Sequence, residues 1–429
     1  MGVKSMRPIF SCFFALAPFA LLAQTPAPPP NGFTPPPARV RPFPAPIMEN
    51  GKPIESRAPE KADDKPSFAG QTRAPYQATA PFKVTVLTDK LLYPWSLAFL
   101  PDGKILLTEK PGTMRIFDEK ARQLSEPLAG VPAVSAIGQA GFLDVALDPK
   151  FETNQRIFFT YSELVGGSDT HIVVARARLD EAGLALKDVS VIFGSKPAMP
   201  RTPSSNQGGR IAIARDGNLF VTIGDRSNSP PWDVAQKLDN DLGKMIRITP
   251  DGAPAPGNPF IGKAGALPEI WSYGHRSEEG LAINPVTGEL WETEHGPRGG
   301  DELNTPEAGK NYGWPVIVHG IDYPGATIGE GITEKAGMEQ PLYYWDPVIA
   351  PSGLAFYTGN LFPQWKGSIF VGALRGQMLD RLAMSGKKVV AEEPLLVDLH
   401  SRIRDVRMGP DGAVYVLTDE SKLLKLTPQ

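Results

Sequence analysis

The 429-residue chain has a single cysteine, Cys12, which lies inside the apolar run IFSCFFALAPFALLA near the N-terminus. Disulfide bonds and thiol chemistry are therefore excluded from everything downstream of that run. Strong charge of either sign is also missing. The formal net charge is −3, which leaves no electrostatic footprint for nucleic acid. Long apolar stretches are confined to the same N-terminal segment. With Lys4 and Arg7 ahead of the run and small residues at its end, Met1 to Ala23 reads as a cleaved secretory signal, too short to span a bilayer comfortably. Removal of residues 1–23 is expected to leave a periplasmic or secreted protein with no membrane span. From Gln24 to about Pro81 the chain is dense in proline, broken by charge, and has no sustained period of 2 or 3.6. Residues 24–81 are accordingly expected to form a disordered arm or linker.

What the chain does have is a repeat. Six times an apolar strand runs into a tight turn and a second apolar strand: LAFLPDGKILLTEK from Leu97, VALDPKFETNQRIFFTYSE from Val145, IAIARDGNLFVTIGDR from Ile211, LAINPVTGELWETEHG from Leu281, LAFYTGNLFPQWKGSIFVGALR from Leu354 and VRMGPDGAVYVLTDE from Val406. Asp-Gly and Thr-Gly punctuation supplies the positive φ that hairpin turns need. One hairpin per unit over residues 82–429 predicts an all-β, six-bladed β-propeller. Each second strand ends in polar residues, among them Lys110, Asp225, Glu294, His295, Arg375 and Asp419. Equivalent strand ends point these tails toward one shallow axial pocket.

The densest polar stretch runs from Glu269 to Pro315. In EHGPRGGDELN, Gly296, Pro297, Gly299 and Gly300 free backbone carbonyls from regular pairing, and Asp301 and Glu302 add hard oxygens, a combination that suits Ca²⁺. A solvated surface loop is the plainer reading of a glycine-rich segment, but its place at a blade end favours a site. Arg276, Arg375, Arg402 and Arg404 form a second set, with Arg402 and Arg404 on one face of a strand. Cations gathered at one axis call for a polyanionic small molecule, unless each pairs with a neighbouring acid such as Asp405 or Glu278. Gln139, in the loop Gly138-Gln139-Ala140-Gly141, is a further candidate ligand donor.

PWSLAFLPDG, GQAGFLDVALDPKF, GGRIAIARDGNLFVTIGD, EIWSYGHR, EHGPRGGDELN, NYGWP and RIRDVRMGPDG occur in that order from about Tyr93 onward. Taken together they resemble the soluble pyrroloquinoline quinone (PQQ)-dependent aldose sugar dehydrogenases, the glucose/sorbosone dehydrogenase-like family. The resemblance implies a six-bladed propeller that oxidises an aldose sugar or related alcohol using PQQ and Ca²⁺ and passes electrons to an external cytochrome or quinone. It implies that Gln139, Arg276, Ser277, Arg375, Arg402 and Arg404 contact the quinone, and that Gly296 and Pro297 offer carbonyls to the Ca²⁺. Arg276 would polarise the accepting carbonyl and Asp225 would orient a base. Here the chain departs from the pattern. The family's base histidine precedes an x-x-Gly-Arg segment, and this sequence reads Asn206-Gln207-Gly208-Gly209-Arg210, with Ser277 where relatives commonly carry asparagine. Three consequences stay open: another base such as His295 or Asp225, a different alcohol as substrate, or a non-catalytic propeller that binds a carbohydrate or the quinone.

Overall fold

A computed structural model describes residues 1–2, 33, 44–226 and 232–429. Residues 3–23 of the expected signal, and 24–32 and 34–43 of the expected arm, lie outside the described residues. The rest is the predicted all-β propeller. Six antiparallel sheets each begin with one of the predicted hairpins: Pro94–Phe99 with Ile105–Glu109, Phe142–Leu147 with Arg156–Val165, Gly208–Ile213 with Leu219–Ile223, Glu278–Ile283 with Leu290–Glu294, Pro351–Phe356 with Ile369–Ala373, and Ile403–Met408 with Val414–Thr418. The first strands pack side by side in a closed ring, the sixth returning to the first. Phe82–Thr88 closes the circle by adding to the outer edge of the last blade against Leu423–Pro428. Among the described residues no helix is long and apolar enough to cross a membrane.

One local device recurs at the axial end. Every first strand starts with a register irregularity against its partner, and a bulge leaves a backbone group without its ladder partner. A threonine on the second strand supplies one. The amides of Ser96, Asp144 and Arg210 donate to the hydroxyls of Thr108, Thr160 and Thr222 at 3.1, 3.1 and 3.0 Å. Each hydroxyl then donates to the next blade: Thr108 to the Leu143 carbonyl at 2.6 Å, Thr160 to that of Gly209, and Thr222 to that of Glu278 at 3.1 Å. Thr293 reaches the Ser352 carbonyl at 3.4 Å. In the fifth blade the position is Gly372, and Ser352 makes the crossing instead, donating to the Ile403 carbonyl at 2.6 Å. A Cβ at Gly372 would stand 2.5 Å from that serine oxygen.

The centre of the ring is charged and buried. Arg210 donates to Asp405 at 3.0 Å, to the Arg404 carbonyl at 3.1 Å and to the Glu279 carbonyl at 2.7 Å, and its guanidinium lies 4.0 Å from the Trp95 ring centroid. Arg407 bridges Asp405 and Asp144, both at 3.1 Å. Asp144 in turn accepts from the Ser96 hydroxyl and the Ile211 amide. Gly353 makes room for this layer, since a Cβ there would meet Asp405 Oδ1 at 2.1 Å. Trp95 is thus a packing residue, as are Trp271 and Trp345 in the blade cores.

Part of the arm departs from expectation. Residues 44–81 lie against the fourth and fifth blades. Gln71 accepts the Tyr344 amide at 2.8 Å and donates to the Pro341 carbonyl at 3.0 Å, Arg73 donates to the Asp346 carbonyl at 2.9 Å, and Glu392 exchanges backbone bonds with Pro75 and Gln77. Ile54, Ala74 and Tyr76 are buried with Trp345, Val371 and Leu382. An extended segment docked through isolated apolar residues and backbone bonds carries no period, which is why the sequence pattern read as disorder. Tyr343, Tyr344 and Trp345 meet this segment and do not face the axis.

Replacing Arg210 by alanine would leave the buried Asp144 and Asp405 with Arg407 alone to balance them. Urea unfolding of that variant is expected to show a loss of about 3–5 kcal/mol; a loss of under about 1 kcal/mol, the scale of an exposed pair, would show that the axial layer is not stabilised by charge balance.

Candidate active site

The strand ends and the loops between blades join into a hydrogen-bonded circuit around the axis. From the first blade, Lys110 donates its ammonium to the Gly138 carbonyl. The neighbouring Gln139 accepts the Asn206 amide at 2.7 Å. Asn206 donates through Nδ2 to Asp225 at 2.7 Å, and the Asp225 amide donates to the Arg276 carbonyl at 2.8 Å. Arg276 donates to the carbonyls of His295 and Gly296 at 3.1 and 2.9 Å. His295 donates from Nε2 to the Pro351 carbonyl at 2.6 Å. Arg402 reaches the Leu374 carbonyl at 3.4 Å and Asp419 at 2.9 Å, and Arg404 joins the same carboxylate at 2.8 Å. Asp419 and Lys110 complete the circuit through their charges.

Of the expected site residues, Gln139, Asn206, Asp225, Arg276, Arg402, Arg404 and Gly296 sit in this circuit. The anion between Arg402 and Arg404 is Asp419, not Asp405, which belongs to the axial layer below. Arg404 also lies 3.6 Å from Glu279. Burial pushes the Asp419 carboxyl up, but Arg404, Arg402 and Lys110 outweigh it and hold that carboxyl well below the usual range. Arg375 is exposed and makes no ion pair among the described residues. Ser277 is buried next to Arg276 with its hydroxyl unpartnered, and Arg276 Nε is likewise unpartnered. These two orphaned groups are a local argument for a ligand, because buried polar atoms are ordinarily satisfied.

The EHGPRGGDELN loop divides by role. Asp301 spends both oxygens on backbone, accepting Gly296 N–H at 2.8 Å through one and the N–H groups of Ile349 and Ala350 at 2.8 and 2.6 Å through the other. Burial raises its pKa to about 7, with those three amides opposing. The residue therefore shapes the loop, and three of its lone pairs are given to backbone amides. Glu302 accepts from Asn304 at 3.0 Å. The Gly296 carbonyl already takes Arg276 and keeps its second lone pair. Residues Arg276, Glu294, His295, Gly296, Pro297, Glu302, Tyr312 and Trp314 line a small pocket.

Trp314 belongs to the site. Its Nε1–H donates to Asp225 at 2.8 Å and its ring lies 5.3 Å from the Arg276 guanidinium. Lys110, Glu279 and Asp419 are the other residues the motifs did not single out, although Lys110 and Asp419 stand in the polar tails of the repeat. Burial lowers Lys110 to about 8, against the opposing pull of Asp419. Burial lowers His295 to about 3, the Pro351 carbonyl opposes, and Arg276, Arg404 and Arg402 add to the drop. With Nε2 bonded to a carbonyl, its neutral ring presents Nδ1 as an acceptor.

The family model described as Glucose / Sorbosone dehydrogenase matches residues 91–425. The chain is 44% identical to aldose sugar dehydrogenase YliI of Escherichia coli (strain K12) over 359 residues, covering 82% of this chain and 95% of that protein. The crystal structure of the soluble aldose sugar dehydrogenase of Escherichia coli in the apo-form is 42% identical, with TM-score 0.77, over 81% of this chain and all of that one. The PQQ-bound form of the aldose sugar dehydrogenase from Streptomyces coelicolor is 28% identical, with TM-score 0.66, over 82% of this chain and 100% of that one.

Asparagine at 301 would present one acceptor and an amide NH₂ to three backbone donors. Asp301→Asn is expected to cost about 1–3 kcal/mol and to speed hydrogen exchange at the amides of Gly296, Ile349 and Ala350. Unchanged exchange at all three would remove Asp301 from its loop-shaping role.

Proposed function

Because the chain belongs to the glucose/sorbosone dehydrogenase family, and is with it an oxidoreductase acting on sugar CH–OH groups, we propose that it oxidises aldoses with PQQ and Ca²⁺ as cofactors. The observation that carries this reading is the circuit itself: Arg276, Arg402, Arg404 and Lys110 around one axis, with Arg276 Nε and the Ser277 hydroxyl still without partners. A planar molecule with several carboxylates suits that donor set, since guanidinium groups take carboxylates in bidentate fashion. When bound, PQQ would supply two-electron acceptance and Ca²⁺ a Lewis acid.

The chain's own residues divide the remaining work. Arg402, Arg404 and Lys110 would hold carboxylates, the exposed Arg375 would close over the ligand, and Gln139 would anchor its loop. The second lone pair of the Gly296 carbonyl and the carbonyl of Pro297 are the donors for Ca²⁺. Trp314 backs the Arg276 guanidinium and, with Asn206, holds Asp225 in place. Export to the periplasm or exterior follows from the N-terminal signal pattern, and an external cytochrome or quinone would take the electrons.

The proton of the sugar hydroxyl is the weak point. An amide cannot accept it, and Asn206 already directs Nδ2 at Asp225. His295 Nδ1 is the neighbouring acceptor, but a group at about 3 is a poor base near neutrality. This supports a second reading, in which the site binds the quinone or a sugar without turnover. A visible-absorption titration with PQQ and Ca²⁺, followed by glucose, separates the two. Binding with bleaching on glucose addition is expected of the dehydrogenase. Binding without bleaching selects the second reading, and no binding sinks both.

Asn206→His should raise glucose oxidation by about 10²–10⁴ with PQQ affinity unchanged, the gain fading below pH ~6.5 as the imidazole protonates. The backbone φ of 46° at this position is one that histidine tolerates better than most residues. Equal rates for both proteins above that pH would assign the proton to another residue. A further expectation concerns Lys110, which is cationic below about 8 and neutral above. PQQ affinity measured by equilibrium titration should fall as pH rises through that value. In Lys110→Arg the guanidinium stays charged and the fall should vanish; an identical profile in both would exclude Lys110 from the anion site.

A further inference from the structure

The loop that offers the Gly296 and Pro297 carbonyls is built on glycine. Gly299 and Gly300 take φ of 92° and 70°, and a glycine backbone has more freedom to lose than any other. Three backbone restraints act on the loop. Asp301 accepts the Gly296 amide, Arg298 exchanges bonds with Ile321 at 3.0 and 2.9 Å, and the Gly300 amide donates to the Trp345 carbonyl at 3.0 Å. The fourth restraint is contact from behind. A Cβ at Gly299 would stand 2.8 Å from Asp346 Oδ1, and one at Gly300 would stand 2.9 Å from His319 Cβ. Asp346 and His319 are therefore the wall against which the two glycines rest.

That wall is held by the arm, outside the residues 91–425 that the family model matches. Asp346 Oδ1 accepts the Glu60 amide at 2.9 Å, and the Glu60 carboxylate takes Arg298 Nε at 2.6 Å. His319 donates from Nδ1 to Asp64 Oδ1 at 3.0 Å. The His319 ring stacks on Tyr344 with centroids 4.0 Å apart, and the Tyr344 amide donates to the Gln71 carbonyl at 2.8 Å. These contacts differ in weight. The side chains of Glu60 and Arg298 are 24% and 45% exposed, so solvent screens their pair. Those of Asp64 and His319 are each 2% exposed, and removing one partner there strands the other's polar group away from water.

We propose that Asp64 is a positioning residue for the axial site. It holds His319 against Gly300, and the loop so fixed places the Gly296 carbonyl, which accepts Arg276 at 2.9 Å. Glu60 does the same from the Asp346 and Arg298 side, with less weight. The arm thereby forms the back of the site. Its effect on Ca²⁺ rests on the reading of the Gly296 and Pro297 carbonyls as donors; its effect on the loop does not.

The test uses the full chain without PQQ. Hydrogen exchange at the amides of Arg298 and Gly300 is measured without metal, and Ca²⁺ affinity by titration calorimetry. Asp64→Ala is expected to speed exchange at both amides and to weaken Ca²⁺ binding by about tenfold, the scale for loss of an outer partner of a metal site. Asp64→Asn keeps an acceptor for the His319 Nδ1–H and should restore both. Thr79→Ala removes the arm's bond to Trp365 Nε1 at 2.7 Å, at the turn end of the fifth blade's hairpin, and should change neither. Wild-type exchange in Asp64→Ala, no restoration by asparagine, or an equal effect of Thr79→Ala would each overturn the proposal. Faster exchange with Ca²⁺ affinity unchanged would overturn the link to the site. A wild-type chain that binds no Ca²⁺ sinks the cofactor reading instead, and exchange alone then judges Asp64. If Asp64→Ala does not fold, exchange at Arg298 in Glu60→Ala decides.

Discussion

The buried ion layer formed by Arg210, Arg407, Asp144 and Asp405 is the constraint on which the ring depends. Two cations and two anions balance, so no net charge is buried, but each is costly to bury without the others. Asp144 comes from the second blade, Arg210 from the third, and Asp405 and Arg407 from the sixth. The layer therefore ties blades distant in sequence. The bulges above it turn the next residues of each strand into the mouth of the axis, where Arg404, Glu279 and Arg276 are found.

Function is layered on that base. Below, arginine and aspartate are matched and satisfied. Above, the balance tips: Asp419 serves Arg402, Arg404 and Lys110 together, and Arg276 Nε and Ser277 are left incomplete. That layer, set over a neutral one, is where the proposed anion site lies. Residues of the circuit share partners. Asp225 receives Asn206 and Trp314, its backbone meets Arg276, and Arg276 meets the Gly296 carbonyl.

The fold was legible because hairpin punctuation is local chemistry, and six Asp-Gly or related turns mark six blades without any knowledge of their packing. The polar tails were legible for the same reason, which is how Lys110 and Asp419 came into view before their roles did. Partners were not. Nothing local shows that the Asp301 carboxylate accepts three backbone amides. Trp314 and Trp95 look alike in sequence, and only the fold places one on Arg276 and the other on Arg210. The bulge threonines were present in four of the six repeats, but their hand-off from blade to blade is a tertiary relation.

The docked arm carries a consequence for how the protein's limits are drawn. The family model matches from residue 91, yet Glu60 pairs with Arg298 at 2.6 Å, Asp64 meets His319 at 3.0 Å, and Asp346 accepts the Glu60 amide at 2.9 Å. Those contacts flank Gly299 and Gly300, in the loop whose carbonyls face the cavity; a Cβ on either glycine would collide with Asp346 or His319. A recombinant version cut to residues 91–425 would lose Phe82–Thr88, the strand that closes the ring, and the brace behind that loop. The folded unit is longer than the stretch that the family model matches.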